Sequence, residues 1–368
     1  MSIPTRFAEL AMFAMMAAMT TTHTRAEEAA PEPRVAIAIH GGAGTLLRSD
    51  MTPEREAEFR AALNAALDAG YAVLKDGGAS IDAVQAAILV MEESPLFNAG
   101  KGAVFNHEGE HELDAAIMTG VDLRAGAVAG VKNVRNPILA ARAVMEQSEH
   151  VMLTGSGADV FARQKGLEMV DNTWFDTEFR WQQLLKARGD AADLPMPSAS
   201  KTSAQTGTRH SDQELAEHKF GTVGAVALDA KGHLTAGTST GGMTNKQWGR
   251  VGDAPVIGAG TYASADCAVS ATGHGEFFIR VGVAHEICAR MRLRGESPDT
   301  AATMVVHHVL KPMGGEGGVI VLDTQGRIAM TFNSAGMYRG SIDLDGNRTV
   351  GIFSETGEPA AEEHEPTH

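Results

Sequence analysis

The sequence has no apolar run long enough to cross a membrane, which requires about 20 consecutive residues, and Leu10–Met19 falls well short of that length. Basic residues are also scarce: 31 lysines and arginines stand against 46 aspartates and glutamates, for a net charge of −15. An acidic surface argues against nucleic acid or an anionic membrane as the partner. The sequence therefore predicts a protein with neither kind of partner.

Cysteines and aromatic residues are few. The chain has only Cys267 and Cys288, and 5% of its residues are aromatic. The two cysteines could pair in an oxidising compartment, but isolated cysteines in a chain of 368 residues are more often buried and free. The 41 glycines indicate tight turns and close backbone approaches. A hydrophobic content of 43% is typical of a globular protein with a full core.

The N-terminal segment, residues 1–26, has features of a signal peptide. Arg6 gives a positive start, the apolar run Leu10–Met19 follows, and Thr24–Ala26 offers small residues for cleavage. Glu9 interrupts the pattern, so an amphipathic helix is the alternative. We expect an exported protein, periplasmic or secreted, and a cytoplasmic one if this segment is not a signal peptide.

Local patterns predict several helices. Thr52 followed by Pro53 indicates a helix that begins there and ends near Lys75. Ser80 is predicted to cap the next helix, and Asn136–Pro137 to open another.

Strand patterns predict two stacked sheets covered by helices, because strands and helical stretches alternate along the chain. Two hairpins share one arrangement, an apolar strand, Leu-Asp, a short turn with glycine and a second apolar strand. The predicted strands and hairpins are 35–44, 102–105, 113–119, 126–131, 221–240 and 317–334.

Two short patterns match catalytic motifs on paper. "HEGEH", His107–His111, has zinc-protease spacing, but Gly109 and the strand-like flanks favour a turn. "GTSTG", Gly237–Gly241, fits a nucleophile elbow around Ser239, but no helix pattern follows it. Neither pattern is a strong candidate for a catalytic site.

A polar segment without apolar periodicity, residues 186–219, precedes a strongly patterned strand. A loop this long inside a compact domain is either disordered or functional. Phe220 follows it, and then Gly221 and Thr222. We interpret the segment as a flexible linker before a cleavage site.

Thr222 is a candidate nucleophile. A threonine hydroxyl is weak and needs a base. If the chain is cut between Gly221 and Thr222, the new α-amine, with an ordinary pKa of about 7.7–8.0, can be that base. Gly221 permits a strained backbone before cleavage. An ordinary strand threonine after an ordinary glycine is the alternative.

The long segment "HKFGTVGAVALDAKGHLTAGTSTGGMTNKQWGRVGDAPVIGAGTYA" closely resembles the plant-type asparaginase/isoaspartyl peptidase family of N-terminal-nucleophile hydrolases. The resemblance continues through "IHGGAG", "SPLFNAGKGAVFN", "HELDAAIMTG", "SATGHGEFFIR" and "FNSAGMYRG". It covers residues 35 to about 354 except the linker. It implies an α+β fold, a four-layer αββα sandwich, cut into an α subunit (27–221) and a β subunit (222–368).

The resemblance also implies roles for matching residues. Thr222 would be the nucleophile of self-cleavage and of hydrolysis, and Thr240 would hydrogen-bond to it and to the new amine. Arg250 and Asp253 would hold the α-carboxylate and the α-amine of an aspartyl substrate, as a guanidinium and a carboxylate can. A surface ion pair of these two residues is the alternative.

Thr272 and Gly273 would form an oxyanion hole and orient the substrate, with turn residues as the alternative, and Asn98 would lie near the nucleophile. No cofactor is implied for catalysis. A structural sodium ion would be bound by the backbone of a loop that includes Met91, Glu92, Ser94, Phe97, Ala99 and Lys101. The resemblance further implies a heterotetramer of two α and two β chains.

We therefore predict a self-activating hydrolase of β-aspartyl dipeptides and L-asparagine, both small-molecule substrates. The sequence does not rank these two substrates. A glycosylasparaginase-type amidohydrolase, with the same nucleophile, is the enzyme alternative. A non-catalytic amino-acid-binding protein that does not mature is the alternative from another class.

Overall fold

The strands of the structure, a computed structural model, form two sheets. The structure describes residues 34–44, 47–191, 194–196 and 221–354. Its strands are β1 Ala36–Gly44, β2 Leu113–Thr119, β3 Ala125–Val131, β4 Met152–Thr154, β5 Val223–Leu228, β6 Leu234–Thr240, β7 Thr261–Ser264, β8 Cys267–Gly273, β9 Gly317–Asp323, β10 Ile328–Phe332, β11 Gly336–Ile342 and β12 Arg348–Phe353.

Helices precede and follow these strands. The α-helices in the described ranges are α1 Pro53–Lys75, α2 Ser80–Glu92, α3 Pro137–Gln147, α4 Gly155–Gln164, α5 Glu178–Arg188, α6 Gly275–Val281, α7 Val283–Arg294 and α8 Pro298–Val305. None of the helices in the described ranges combines the length and the apolar character needed to span a membrane.

The larger sheet has the strand order β12-β11-β1-β5-β6-β2-β3-β4, and the smaller sheet β10-β9-β8-β7. Neighbouring strands are antiparallel except β3 and β4. The two predicted hairpins are present, but β5–β6 lies in the larger sheet and β9–β10 in the smaller. The first strand after the linker is therefore a central strand, with neighbours on both sides.

Three apolar layers separate four layers of secondary structure. Ile37 and Val223 contribute to a cluster with the residues of α1 and α2 on the outer face of the larger sheet. Val226 and Ile320 belong to the cluster between the sheets. A third cluster, which includes Val305, lies between the smaller sheet and α7 and α8. This arrangement confirms the predicted αββα sandwich.

Two local predictions were wrong because the side chains of other residues bind the backbone N–H groups concerned. Ser80 does not cap α2: its backbone N–H donates to Asp229 Oδ2 at 3.0 Å, and its hydroxyl lies 2.9 Å from that of Thr235. Residues 102–105 do not form a strand. The backbone N–H of Val104 donates instead to Asn98 Oδ1, at 2.9 Å.

Of the two states that the sequence leaves open for the cysteines, free or paired, the structure has the paired one. Cys267, the first residue of β8, and Cys288, on α7, form a disulfide, with Cα atoms 5.5 Å apart. The helix packs directly on this strand, so the two buried side chains meet.

Most of the predicted linker 186–219 and the whole predicted signal peptide lie outside the described residues, but α5 extends through Arg188 into the linker range.

Candidate active site

Thr222 lies directly before β5, between β1 and β6 in the larger sheet. Its hydroxyl oxygen is 2.9 Å from that of Thr240, the last residue of β6. The Thr240 oxygen also accepts a hydrogen bond from the backbone N–H of Gly242, at 3.0 Å. Thr240 is thus fixed at the end of its strand, with its hydroxyl directed at Thr222.

The Gly221–Thr222 peptide bond is anchored on its carbonyl. The oxygen of Gly221 accepts a hydrogen bond from the backbone N–H of Asn98, at 2.9 Å. A Cβ atom on Gly221 would lie 2.8 Å from the Cβ of Asn98, closer than real side chains approach. Only glycine therefore leaves this contact undisturbed.

Asn98 lies beside Gly221 and Thr222, and its side chain forms hydrogen bonds to two backbone segments. Its Nδ2 donates to the carbonyl of Gly242 at 2.7 Å, and its Oδ1 accepts the N–H of Val104 at 2.9 Å. Its own carbonyl accepts the N–H of Gly241 at 3.0 Å. The side chain therefore joins its loop to the end of β6 and holds the backbone N–H against Gly221.

Arg250 and Asp253 meet at α6, but not as the surface ion pair that was the alternative. Arg250 donates from Nε and Nη2 to both carboxylate oxygens of Glu276, at 2.9 and 3.0 Å. Asp253 is buried instead. A Cβ on Gly275 would lie 2.9 Å from both Arg250 Nη2 and Asp253 Oδ1, so a glycine lets the two groups approach the same point.

Asp253 and Thr272 carry polar atoms that the fold does not satisfy. Burial raises the pKa of Asp253 to about 7. Among the described residues, neither Asp253 Oδ2 nor the Thr272 hydroxyl has a hydrogen-bond partner. Buried polar atoms are rarely left unpaired, so both are available to a ligand. Thr272 lies in β8 rather than in a turn, two residues beyond Ser270 and on the same face.

The predicted sodium loop runs from the end of α2 to a short 3-10 turn, Gly100–Gly102. A Cβ on Gly100 would collide with the carbonyl oxygen of Glu92, and one on Gly102 with that of Phe97. Two carbonyl oxygens thus crowd the inside of the loop. The carbonyls of Met91 and Ala99 accept backbone hydrogen bonds.

Neither of the two short motif matches, "HEGEH" and "GTSTG", has the structure that its catalytic site requires. The "HEGEH" segment forms a turn closed by a hydrogen bond from Gly109 N–H to the Asn106 carbonyl, at 3.2 Å, rather than the helix a zinc site requires. Ser239 is buried within β6 and donates to Glu92 Oε1 at 2.6 Å. In the part of the chain that the structure describes, no three His, Cys, Asp or Glu side chains are grouped to hold a metal.

Sequence reasoning missed two residues at the site, Glu276 and His40. Glu276 follows Gly275 in "GHGEFF", and its position one residue into a helix gave no signal of the pairing with Arg250. His40 lies in "IHGGAG", where a histidine before paired glycines inside a predicted strand could have marked it. Its Nδ1 is 2.9 Å from the carbonyl oxygen of Thr222.

The four-layer sandwich, with a threonine directly before a central strand, places the protein in the class of N-terminal-nucleophile hydrolases. Residues 33–352 match the family described as "Asparaginase". The chain belongs to this asparaginase family and is an enzyme. Enzymes of this family need no cofactor for catalysis.

Curated relatives match along nearly their whole length. The chain is 48% identical over 330 residues to an isoaspartyl peptidase of Escherichia coli K12, covering 89% of this chain and 99% of the relative. It is 40% identical over 324 residues to a probable isoaspartyl peptidase/L-asparaginase of Arabidopsis thaliana, covering 86% and 98%. An isoaspartyl peptidase/L-asparaginase of Xenopus laevis is 38% identical over 321 residues, covering 86% and 94%.

Proposed function

We propose that the protein cuts itself between Gly221 and Thr222 and then hydrolyses β-aspartyl dipeptides and L-asparagine with Thr222 as the nucleophile. The single observation that carries this proposal is the position of the Thr222 hydroxyl. It lies 2.9 Å from Thr240 and next to a peptide carbonyl that a backbone N–H already holds. The names of the relatives support the substrate class.

Self-cleavage would begin with attack of the Thr222 hydroxyl on the carbonyl carbon of Gly221. The C–N bond breaks as an ester to Thr222 forms, and the released amine takes up the proton. Negative charge develops on the Gly221 oxygen, where the backbone N–H of Asn98 already donates and stabilises it. Water then hydrolyses the ester and leaves Thr222 as the first residue of the β chain.

In hydrolysis, the amine of Thr222 would remove the proton from its own hydroxyl. The hydroxyl attacks the side-chain carbonyl of the aspartyl residue, and the amine returns the proton to the leaving group. The unpaired hydroxyl of Thr272 would donate to the oxyanion, together with the backbone at Gly273. Water then releases aspartate from the β-aspartyl ester on Thr222.

The substrate's α-amine and α-carboxylate would bind at Asp253 and Arg250. Asp253 has a buried, unpaired carboxylate oxygen, and an ammonium group would supply the missing charge and hydrogen bond. Arg250 uses Nε and one N–H of Nη2 for Glu276, and Nη1 with the second N–H of Nη2 forms the other planar fork, which suits a carboxylate.

A substrate panel on the purified protein tests the proposal. The small chain should begin Thr-Val-Gly-Ala, and the enzyme should release aspartate from β-aspartyl dipeptides and from L-asparagine. The matched control is an α-aspartyl dipeptide of the same composition, whose peptide bond is on the other carboxyl group. Equal hydrolysis of the α- and β-linked peptides would contradict the proposed recognition of a free α-carboxylate.

We expect activity to rise with pH. The Thr222 amine must be neutral, and amines lose their proton as pH rises. Asp253, whose pKa burial raises to about 7, is neutral below that pH and ionised above it. Its attraction for a substrate ammonium therefore strengthens as pH rises through about 7, and KM should fall over the same range. Steady-state rates from pH 5 to 9 check this; a kcat/KM that falls steadily from pH 5 would contradict it.

A sodium ion would fit the carbonyl oxygens of Glu92 and Phe97, since hard cations prefer oxygen ligands. The charge of the ion would stabilise the loop that presents Asn98. We expect the midpoint of thermal unfolding to rise in sodium chloride relative to tetramethylammonium chloride at equal ionic strength. Equal midpoints of thermal unfolding in the two salts would contradict the proposed sodium site.

Export and the α2β2 heterotetramer stay predictions. The disulfide between Cys267 and Cys288 supports export, because disulfides persist in oxidising compartments. Apolar side chains at one end of the larger sheet are more than half exposed, as expected of a surface that another chain covers: Val121, Leu123 and Val151.

A further inference from the structure

We propose that a buried hydrogen-bonded chain of His40, Ser270 and Thr238 positions Thr222 for catalysis. His40 is a positioning residue in this proposal: it contacts the nucleophile's own carbonyl and acts through it. The inference rests on the proposed function, because it assigns the residue that holds Thr222 in place once the chain has been cut.

The need for His40 arises from the shape of β1. The ladder between β1 and β5 ends at the pair His40–Gly224, two residues short of being opposite Thr222. Beyond His40, β1 is irregular, with a register shift before Gly42, whose φ of +116° is accessible mainly to glycine. The backbone of β1 therefore gives Thr222 no ladder partner. The imidazole of His40 supplies the missing hydrogen bond instead, with Nδ1 2.9 Å from the Thr222 carbonyl oxygen.

The contacts fix the protonation of His40. A carbonyl can only accept, so Nδ1 must carry the proton. Burial lowers the pKa of His40 to about 3, so the ring is neutral and its Nε2 carries no proton. Nε2 then accepts from the hydroxyl of Ser270, at 2.8 Å. Ser270 in turn accepts from Thr238, at 2.7 Å.

The chain of contacts crosses the interface between the two sheets. His40 and Thr238 belong to the larger sheet and Ser270 to the smaller. The chain continues to Thr261 on β7, whose hydroxyl is 2.6 Å from that of Thr238. All four side chains are buried. A Cβ on Gly224 would collide with both Ser270 Oγ and His40 Nε2, so the glycine leaves room for their contact.

After self-cleavage, Thr222 is a chain terminus and loses the restraint of the Gly221 peptide bond. Two side-chain contacts then remain on it, from His40 to its carbonyl and from Thr240 to its hydroxyl. Without the donor on His40, the terminal residue can rotate away from the reactive geometry, and small displacements cost large factors in rate. None of the hydrogen bonds given for His40, Ser270 and Thr238 involves Arg250 or Asp253, so KM should change little.

Two substitutions of nearly equal polarity test the proposal. The amide of His40→Asn can place an N–H near the position of Nδ1 and donate to Thr222. The longer amide of His40→Gln reaches toward Ser270 instead. On a β-aspartyl dipeptide, with rates expressed per cleaved chain, we expect kcat to fall at least about tenfold in His40→Gln. His40→Asn should stay within about threefold of the parent, and KM should change less than twofold in both.

Equal kcat values for the two variants, or a larger loss in His40→Asn, would overturn the proposal, since a purely structural histidine would not distinguish them in this direction. If neither variant folds, Ser270→Ala decides. It removes the only side-chain partner of Nε2 among the described residues, so the imidazole can turn away from Thr222 and kcat should fall several-fold with KM unchanged. Ser341→Ala, at a buried serine on β11, is the control.

An unchanged kcat in Ser270→Ala would also overturn the proposal. The activity of the parent enzyme on β-aspartyl dipeptides distinguishes a failure of this inference from a failure of the proposed function. A parent that hydrolyses β-aspartyl dipeptides beside an unaffected His40→Gln variant refutes the positioning chain alone. A parent inactive on these dipeptides refutes the proposed function itself.

Discussion

Thr222→Ala is expected to remain a single chain and to lose at least about a thousandfold in kcat/KM, because it removes the nucleophile of both reactions at once. The alanine keeps the backbone, so the hydrogen bonds from Asn98 to Gly221 and from His40 to residue 222 should persist. The fold should therefore survive, and only the chemistry should be lost. Denaturing electrophoresis and hydrolysis of a β-aspartyl dipeptide measure the two effects.

Thr222→Ser is the matched control, since it keeps a hydroxyl in the same place. We expect it to self-cleave and to retain part of the activity. The two variants together separate self-processing from cutting by another enzyme. Cleavage of Thr222→Ala at Gly221 would mean that an outside protease cuts the chain, and the proposed maturation would then be wrong.

The hairpins and helix starts could be predicted from the sequence because their signals are local. Alternation around a tight turn gave both hairpins, and Thr52 with Pro53 gave the start of α1, where the threonine hydroxyl accepts the N–H of Arg55 at 3.2 Å. Position 222 could be singled out for the same reason. A glycine and a threonine at an abrupt change from polar to alternating sequence are visible without any tertiary information.

The errors share a physical cause, which is that contacts made by side chains in the folded protein replaced those that the local pattern predicts. The start of α2 is satisfied by Asp229, far along the chain, and not by Ser80. Val104 gives its N–H to the side chain of Asn98 and so cannot join a ladder. The pairing of Cys267 with Cys288 depends on a helix packing on a strand. Such contacts leave no periodic pattern in the sequence.

In the candidate site, too, the sequence indicates which residues are present, but their environments depend on tertiary packing. The resemblance pointed to Arg250 and Asp253 as a pair, but the different environments of these residues depend on tertiary packing. Asp253 is buried with an unpaired oxygen, whereas Arg250 is held by Glu276. His40 was missed because its function comes from the bulge in β1, a feature of strand pairing rather than of residue type.

Arg250→Ala is expected to self-cleave normally and yet lose at least about thirtyfold in kcat/KM on β-aspartyl dipeptides. Self-cleavage should persist because Asn98 holds the Gly221 carbonyl and Thr240 contacts the Thr222 hydroxyl, and neither contact involves Arg250. Glu276 would lose Arg250 but keep its contact with His274, at 3.3 Å, and its side chain is 48% exposed, so water can solvate the charge. The variant should therefore fold.

The size of the loss follows from the role of the guanidinium. Truncating one partner of a buried charged contact costs about 2–5 kcal/mol, and the lower limit corresponds to about thirtyfold. Arg250 also aims the substrate, since its fork fixes the α-carboxylate while Thr222 attacks the neighbouring carbonyl. Arg250→Lys should recover only part of the loss, because a point charge cannot form two parallel hydrogen bonds.

Arg292→Ala is the control for net charge, because Arg292 lies exposed on α7, in a part of the fold that does not include the site residues. Both variants lose one positive charge, so a general electrostatic effect would lower their activities equally. The measurement is steady-state hydrolysis by the cleaved proteins at one pH and ionic strength. If Arg250→Ala works within about threefold of the parent, Arg250 does not hold the α-carboxylate, and another group must bind it.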